Sequence, residues 1–187
     1  MLTTKAESRG LKLLLPAFGF LIIIFYSFFP FFLPEWYAED YKKLKTNRDS
    51  HGICRQSTDY TCGPAAAVTA LGELNISSEE GELAVLSFTN WVTGTPTDQL
   101  CNALNSRLAP HKLKCKTLQI TDISGIKQFP AIATIEYGFL VDHYVTILGW
   151  KGDRLIIADP IGGLKLMKKD EFQEKWRKTV IVFERKL

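Results

Sequence analysis

The sequence has no Cys-x-x-Cys pair. Its four cysteines stand apart at 54, 62, 101 and 115, with no histidine at ligand spacing, which argues against a structural zinc framework. The spacing allows a Cys101–Cys115 disulfide without demanding one. A basic stripe interleaved with aromatics is also missing: the net charge is only +3, and the positive residues are scattered or flank one apolar run. Nucleic acid is therefore not an expected partner. Histidine is scarce, at three residues. His51 and His111 have loop-like surroundings, which leaves His143 as the candidate for acid–base chemistry. What the chain does have, 46% apolar and 23% charged residues over a length of 187, fits one globular domain with a modest extension rather than a disordered chain.

Charge is absent altogether from residues 13–34. As a helix this run would cover roughly 30 Å, the thickness of a bilayer core, so it is expected to be a single transmembrane anchor. Pro16 and Pro30 lie near its ends, and Trp36 and Tyr37 suit a headgroup interface. Lys5, Arg9 and Lys12 abut the run upstream, whereas Glu35, Glu39 and Asp40 come first downstream. That leans to a cytoplasmic N-terminus and a single-pass membrane protein with its domain outside the cytoplasm. The expected organisation is a tail and anchor over 1–34, a juxtamembrane linker over 35–51 and one domain over 52–187.

Residues 56–71, Gln-Ser-Thr-Asp-Tyr-Thr-Cys-Gly-Pro-Ala-Ala-Ala-Val-Thr-Ala-Leu, read as a loop that feeds one thiol into the start of a buried helix. Gly63 permits a tight turn, Pro64 suits a first helical turn, and the alanines propagate the helix. Unpaired N–H groups and the helix dipole at that end favour a thiolate at Cys62. Local sequence leaves a small buried core cysteine as an equal alternative.

Further helices are expected from the Ser77–Glu80 capping box to about Phe88, and from Thr95-Pro96 through Leu100, Ala103, Leu104 and Leu108. Asn75 matches a glycosylation sequon, which nothing else in the sequence supports. From residue 112 the pattern changes to strands over 112–120, 131–137, 144–150, 154–158, 164–167 and 179–183. A helical half followed by a mostly antiparallel sheet gives an α+β fold. Alternation puts His143 on one face with Val145 and Ile147 and puts Asp142 on the other. A hairpin at 150–153 brings Asp159 beside His143. Taken alone, a histidine near a strand start is more often structural, and Asp159-Pro160 with following glycines is more often just a turn.

Together, Gln56-x5-Cys62-Gly63-x-Ala65, His143-Tyr144-Val145 and Asp159-Pro160-x-x-Gly163 resemble the bacteriocin-processing cysteine peptidases, the double-glycine leader peptidases of papain-like fold. The likeness covers 52–187, and Phe129–Ala133 and Phe172-x3-Trp176 fit it as well. The resemblance implies a papain-like cysteine peptidase domain with Cys62 as nucleophile, His143 as general base and acid, Asp159 as its orienter and Gln56 as oxyanion donor. It implies no metal or organic cofactor, a peptide or protein substrate cut after Gly-Gly or Gly-Ala, and an exporter or secretion component as partner. Acyl or amide transfer on the same fold, and a non-catalytic recognition domain of a secretion system, are the alternative readings.

Overall fold

The computed structural model describes residues 3–186, and the side chains of all of these except 3–13 and 30–36. The first element, α1, runs Thr3–Lys42. A short antiparallel ribbon, β1 (Asn47–Arg48) with β2 (Cys54–Arg55), follows it. Three helices come next: α2 (Cys62–Glu73), α3 (Glu80–Leu86) and α4 (Thr97–Leu108). The second half contains β3 (Leu113–Gln119), β4 (Ala131–Gly138), β5 (Val141–Lys151), β6 (Arg154–Asp159), β7 (Gly163–Lys168), α5 (Lys169–Lys175) and β8 (Trp176–Arg185). Its six strands form one sheet in the order β3-β8-β4-β5-β6-β7, antiparallel at every pairing.

Alternation along the strands gives the sheet two apolar faces, and the chain covers each with different elements. On one face α2 and α4 pack Ala65, Val68, Leu71, Leu100, Leu104 and Leu108 against Ile132, Tyr144, Ile181 and Phe183. On the other, Ile123, Phe172 and Trp176 close over Val145, Ile147, Leu155 and Ile157. The end of α2 and the start of α3 are each set by a single residue. Asn75 closes α2 in the left-handed region, at φ +58°, a backbone role that suits an asparagine just past a helix end. The Ser77–Glu80 capping box does not form: α3 begins at Glu80, whose carboxylate is fully buried and reaches Ser57 instead.

The register between β5 and β6 decides which face of the sheet carries Asp159. Near the turn, Lys151 faces Arg154 and Gly149 faces Ile156, but beyond an irregularity at 147–149, Ile147 faces Ile157 and Thr146 faces Ala158. Continuing that register puts Asp159 across from Val145. Without the extra residue it would oppose Thr146, whose hydroxyl points at α2, and its side chain would lie on the opposite face from His143.

The expected membrane anchor over 13–34 requires correction. Among the described residues no helix is long and apolar enough to cross a membrane. Residue 13 and residues 30–34 of that run have side chains outside the description. The single-pass localisation and the extracytoplasmic domain inferred from the anchor are withdrawn with it. Much of the expected linker, 35–51, is docked. Tyr41 is buried beside Tyr60, the Thr46 hydroxyl accepts the Glu80 N–H, and β1 pairs with β2.

Gly149 takes up the β5 bulge at φ +152°, a conformation in which side chains are strained. Gly149→Ala is therefore expected to lower stability by about 1–3 kcal/mol, measured by urea unfolding. A loss below about 0.5 kcal/mol, the range of an ordinary surface change, would show that the bulge does not need the glycine.

Candidate active site

Cys62 is the first residue of α2. The preceding Thr61 gives the helix no side-chain cap, because its hydroxyl is engaged with Thr58: it accepts the Thr58 N–H at 3.1 Å and donates to the Thr58 carbonyl at 3.2 Å. Pro64 has no N–H and Ala65 donates to the Thr61 carbonyl at 3.0 Å, so the amides at this end that can meet another acceptor are those of Cys62 and Gly63. The loop itself is held from below. Glu80 accepts the Ser57 N–H at 2.8 Å and the Ser57 hydroxyl at 2.6 Å.

His143 stands near the start of β5, opposite Ile135 of β4. Its Nε2 lies 2.8 Å from Asp159 Oδ1, and Cys62 is close enough to act on the same imidazole. With Nε2 facing Asp159, Nδ1 is the nitrogen left for sulfur. Tyr137 lies against the ring at a centroid distance of 5.3 Å. Burial acts to remove the imidazole's proton, but the hydrogen bonds to Asp159 and Cys62 and the attraction of both outweigh it, raising His143 to about 9.

Burial likewise works to raise the Asp159 carboxyl. Hydrogen bonds from His143, Lys165 and the Ile161 N–H overcome it and hold the group well below the ordinary carboxylate range. The Ile161 N–H donates to Oδ1 at 2.8 Å, and Lys165 Nζ donates to Oδ2 at 2.6 Å. Gln56 is anchored next to this aspartate, its N–H donating to the Pro160 carbonyl at 3.2 Å. Its Nε2 donates to the Thr58 carbonyl at 2.7 Å, while its Oε1 is buried without a partner among the described residues.

Two open grooves flank these groups and share Asp59. One, of about 540 Å³, runs between Tyr60, Trp91, the 95–97 segment and Tyr144, with Cys62 in its wall. The other, of about 360 Å³, runs between Gln56, Ser57, Tyr137 and Ile161. Tyr144 is fixed by donating to the Thr95 carbonyl at 3.0 Å and by a 2.6 Å bond with the Thr97 hydroxyl; burial pushes its hydroxyl up to about 12.

The structure thus pairs His143 with Asp159, sets Cys62 close enough to act on the imidazole, and anchors Gln56 next to Asp159 through Pro160. Sequence reasoning did not single out Glu80, Lys165, Tyr137 or Tyr144. Lys165 carried a signal in principle, since β6–β7 pairing sets it two residues along from the partner of Asp159.

Helices laid on an antiparallel sheet, with a thiol at a helix start meeting a histidine at a strand start, make up the architecture of a papain-like cysteine peptidase. In fold the chain is similar to the peptidase domain of Streptococcus ComA, a bi-functional ABC transporter involved in quorum sensing. The match has 22% identity, covers 70% of this chain and 96% of that one, and has a TM-score of 0.60. It is also similar to a double glycine motif protease from an AMS/PCAT transporter in complex with its leader peptide. There the identity is 18%, the coverage 76% and 95%, and the TM-score 0.59. Residues 50–187 match the sequence model of the Peptidase C39 family; the chain belongs to that family and is a cysteine peptidase by class. An uncharacterised protein of Methanothermobacter marburgensis is 30% identical over 133 residues, 71% of this chain and 88% of that protein.

The electrostatics predict a pH dependence of stability. His143 is raised from 6.5 to about 9 in the fold, so its contribution is complete below about 6.5 and is lost as the pH rises through about 9. Asp159 acts oppositely: its contribution is present above about 3.9 and is lost as the pH falls through its depressed value. Urea midpoints should fall between pH 6.5 and 9, and the fall should flatten in His143→Asn. An equally steep fall in that variant would assign the loss to other groups.

Proposed function

We propose that the protein cleaves a peptide bond with Cys62 as nucleophile, His143 as proton carrier, Asp159 as the group that orients it and Gln56 as an oxyanion donor. The observation that carries this reading is the buried His143–Asp159 pair, 2.8 Å apart, with Cys62 at the uncapped start of α2 close enough to act on the imidazole. His143 at about 9 is protonated at neutral pH, which favours a thiolate–imidazolium pair.

In the first half-reaction Cys62 Sγ attacks the carbonyl carbon, and the carbonyl oxygen takes the negative charge. The Cys62 N–H and the second N–H of the Gln56 amide are the donors to it, the first amide hydrogen being engaged with Thr58. The C–N bond then breaks as imidazolium Nδ1 gives its proton to the leaving amine, which leaves a thioester. Neutral His143 then takes a proton from water, the resulting hydroxide attacks the thioester, and the acid departs as Cys62 regains its thiolate. Asp159 keeps the ring oriented throughout and stabilises its charged form.

The substrate is a peptide or protein presented in the two grooves. Cys62 is only 8% exposed, set beside Thr95–Thr97 and Tyr144, so a residue with little or no side chain before the scissile bond best brings its carbonyl to the sulfur. This supports a Gly-Gly or Gly-Ala site. The similar peptidase domains belong to transporters, one of them solved with a leader peptide, which supports an exporter as the component that delivers substrate.

The test is cleavage of peptides carrying Gly-Gly or Gly-Ala, read by mass spectrometry. Cys62→Ala should abolish product, and a variant that still cleaves would remove that thiol from the chemistry. Gln56→Ala should lower kcat by roughly 100- to 1,000-fold with little change in KM. Iodoacetamide labelling offers a check without substrate, provided the label is mapped to its residue. Cys101 is as exposed as Cys62, whereas burial pushes Cys54 up to about 12. Labelling of Cys62 well below pH 8.5 that is lost in His143→Ala supports the pair; equal labelling in both proteins contradicts it.

A further inference from the structure

We propose that Lys165 is a positioning residue of this site, its ammonium sharing the Asp159 carboxylate with His143 and so setting how firmly the imidazole holds its proton. The inference rests on the proposed roles of Cys62, His143 and Asp159, but its geometry stands by itself. Asp159 is nearly buried and its two oxygens are divided between donors. Oδ1 takes His143 Nε2 and the Ile161 N–H, each at 2.8 Å. Oδ2 takes Lys165 Nζ at 2.6 Å.

The local chain is shaped to allow this. Antiparallel pairing of β6 with β7 puts Gly163 across from Asp159 and Lys165 across from Ile157. Lys165 therefore lies on the same sheet face as Asp159, one diagonal away. To reach the carboxylate its side chain folds back over Gly162, where a Cβ would collide with both Nζ and Cε of the lysine and crowd Asp159 Oδ2. A Cβ at 162 would push the lysine head aside. The Asp159–Gly163 turn thus does more than reverse the chain: it opens a slot for a cation on the far side of the carboxylate from the histidine.

The direction of the effect is set by the charges that face the pair. Asp159 meets His143 from β5, Lys165 from β7, and Arg55 from β2, whose Nη1 lies 3.5 Å from the Asp159 carbonyl oxygen and 4.0 Å from Asp49 Oδ2. His143 meets Asp159, the Cys62 thiol of α2 and the uncharged ring of Tyr137 from β4. Lys165 is the cation bonded directly to the shared carboxylate. Its positive charge offsets part of the negative charge that holds the proton on His143. If it is removed, Asp159 remains tied through Oδ1 to the Ile161 N–H, and its full charge acts on the imidazole.

The experiment is an NMR titration of the His143 ring proton in the full chain, assigned by its loss in His143→Asn, for the wild type, Lys165→Met, Lys165→Arg and Gly162→Ala. Lys165→Met should raise the midpoint by about one pH unit. Lys165→Arg should return it towards the wild-type value, and Gly162→Ala, which displaces the lysine head, should raise it by a smaller amount. A midpoint that stays or falls in Lys165→Met overturns the proposal, as does one that Lys165→Arg leaves as high as Lys165→Met does. The titration needs no substrate. If the midpoints shift as stated while Cys62→Ala still cleaves, the charge sharing stands and the assignment of the nucleophile falls. If Cys62 proves essential while the midpoint does not move, the reverse holds.

Discussion

The close approach of α2 to β5 is the contact on which the rest depends. Ala65, Ala66, Ala67 and Ala70 are completely buried, and the Thr146 hydroxyl of β5 donates to the Ala66 carbonyl at 2.8 Å. Larger side chains at these positions would hold the helix off the sheet. The contact sets the height of the first turn of α2 above β5, and with it the meeting of Cys62 and His143. Helix propensity and packing point the same way here, since alanine both favours the helix and permits the approach. Thr146 adds a fixed point, because a buried hydroxyl without a partner is costly and the Ala66 carbonyl supplies one.

All four cysteines are buried, and their surroundings differ. Cys54 is as deep as any residue in the chain, and burial, reinforced by the nearby Glu80 charge, pushes it up to about 12. Cys101 and Cys115 face one another across α4 and β3, and Asn105 donates to the Cys101 sulfur and to the Cys115 carbonyl. Hydrogen bonding within that pair lowers Cys101 and raises Cys115. Cys62 alone of the four meets an imidazole that carries a proton at neutral pH. What separates it from the others is the neighbour, and that neighbour is delivered by the sheet, not by its own helix.

This explains which parts were legible in the sequence. The strands from 113 onward and the helices at 62 and 97 follow local periodicity, and all fall close to where the pattern put them. Cys62, His143 and Asp159 could be nominated because a helix start, a strand start and a hairpin each have local signatures. The bulge that puts Asp159 on the face of His143 has no such signature beyond a glycine at 149. Lys165 falls in the strand expected over 164–167, and it takes the β6–β7 register to bring it to Asp159. Glu80 read as a helix cap because Ser-x-x-Glu is a local rule, yet a longer-range partner, Ser57, won its carboxylate. The apolar run at 13–34 suggests an anchor by composition and length, whereas no helix among the described residues is long and apolar enough to cross a membrane.

The same glutamate ties the candidate site to residues that precede the family match. The loop 56–61 carries Gln56 and leads into Cys62, and it belongs to no strand or helix. Its shape comes from the Thr58–Thr61 bonds and from Ser57 gripping Glu80. Glu80 in turn starts α3, and its own N–H is taken by the Thr46 hydroxyl at 2.8 Å. Thr46 sits just after the end of α1, where Tyr41 packs beside Tyr60 of the same loop. The chain from Tyr41 to Thr46 therefore supports the site loop from behind, through one hydrogen bond to Glu80 and one ring contact. A buried carboxylate with both oxygens bonded and its backbone N–H capped is a rigid post. Its rigidity passes to Ser57, the neighbour of Gln56, the proposed oxyanion donor.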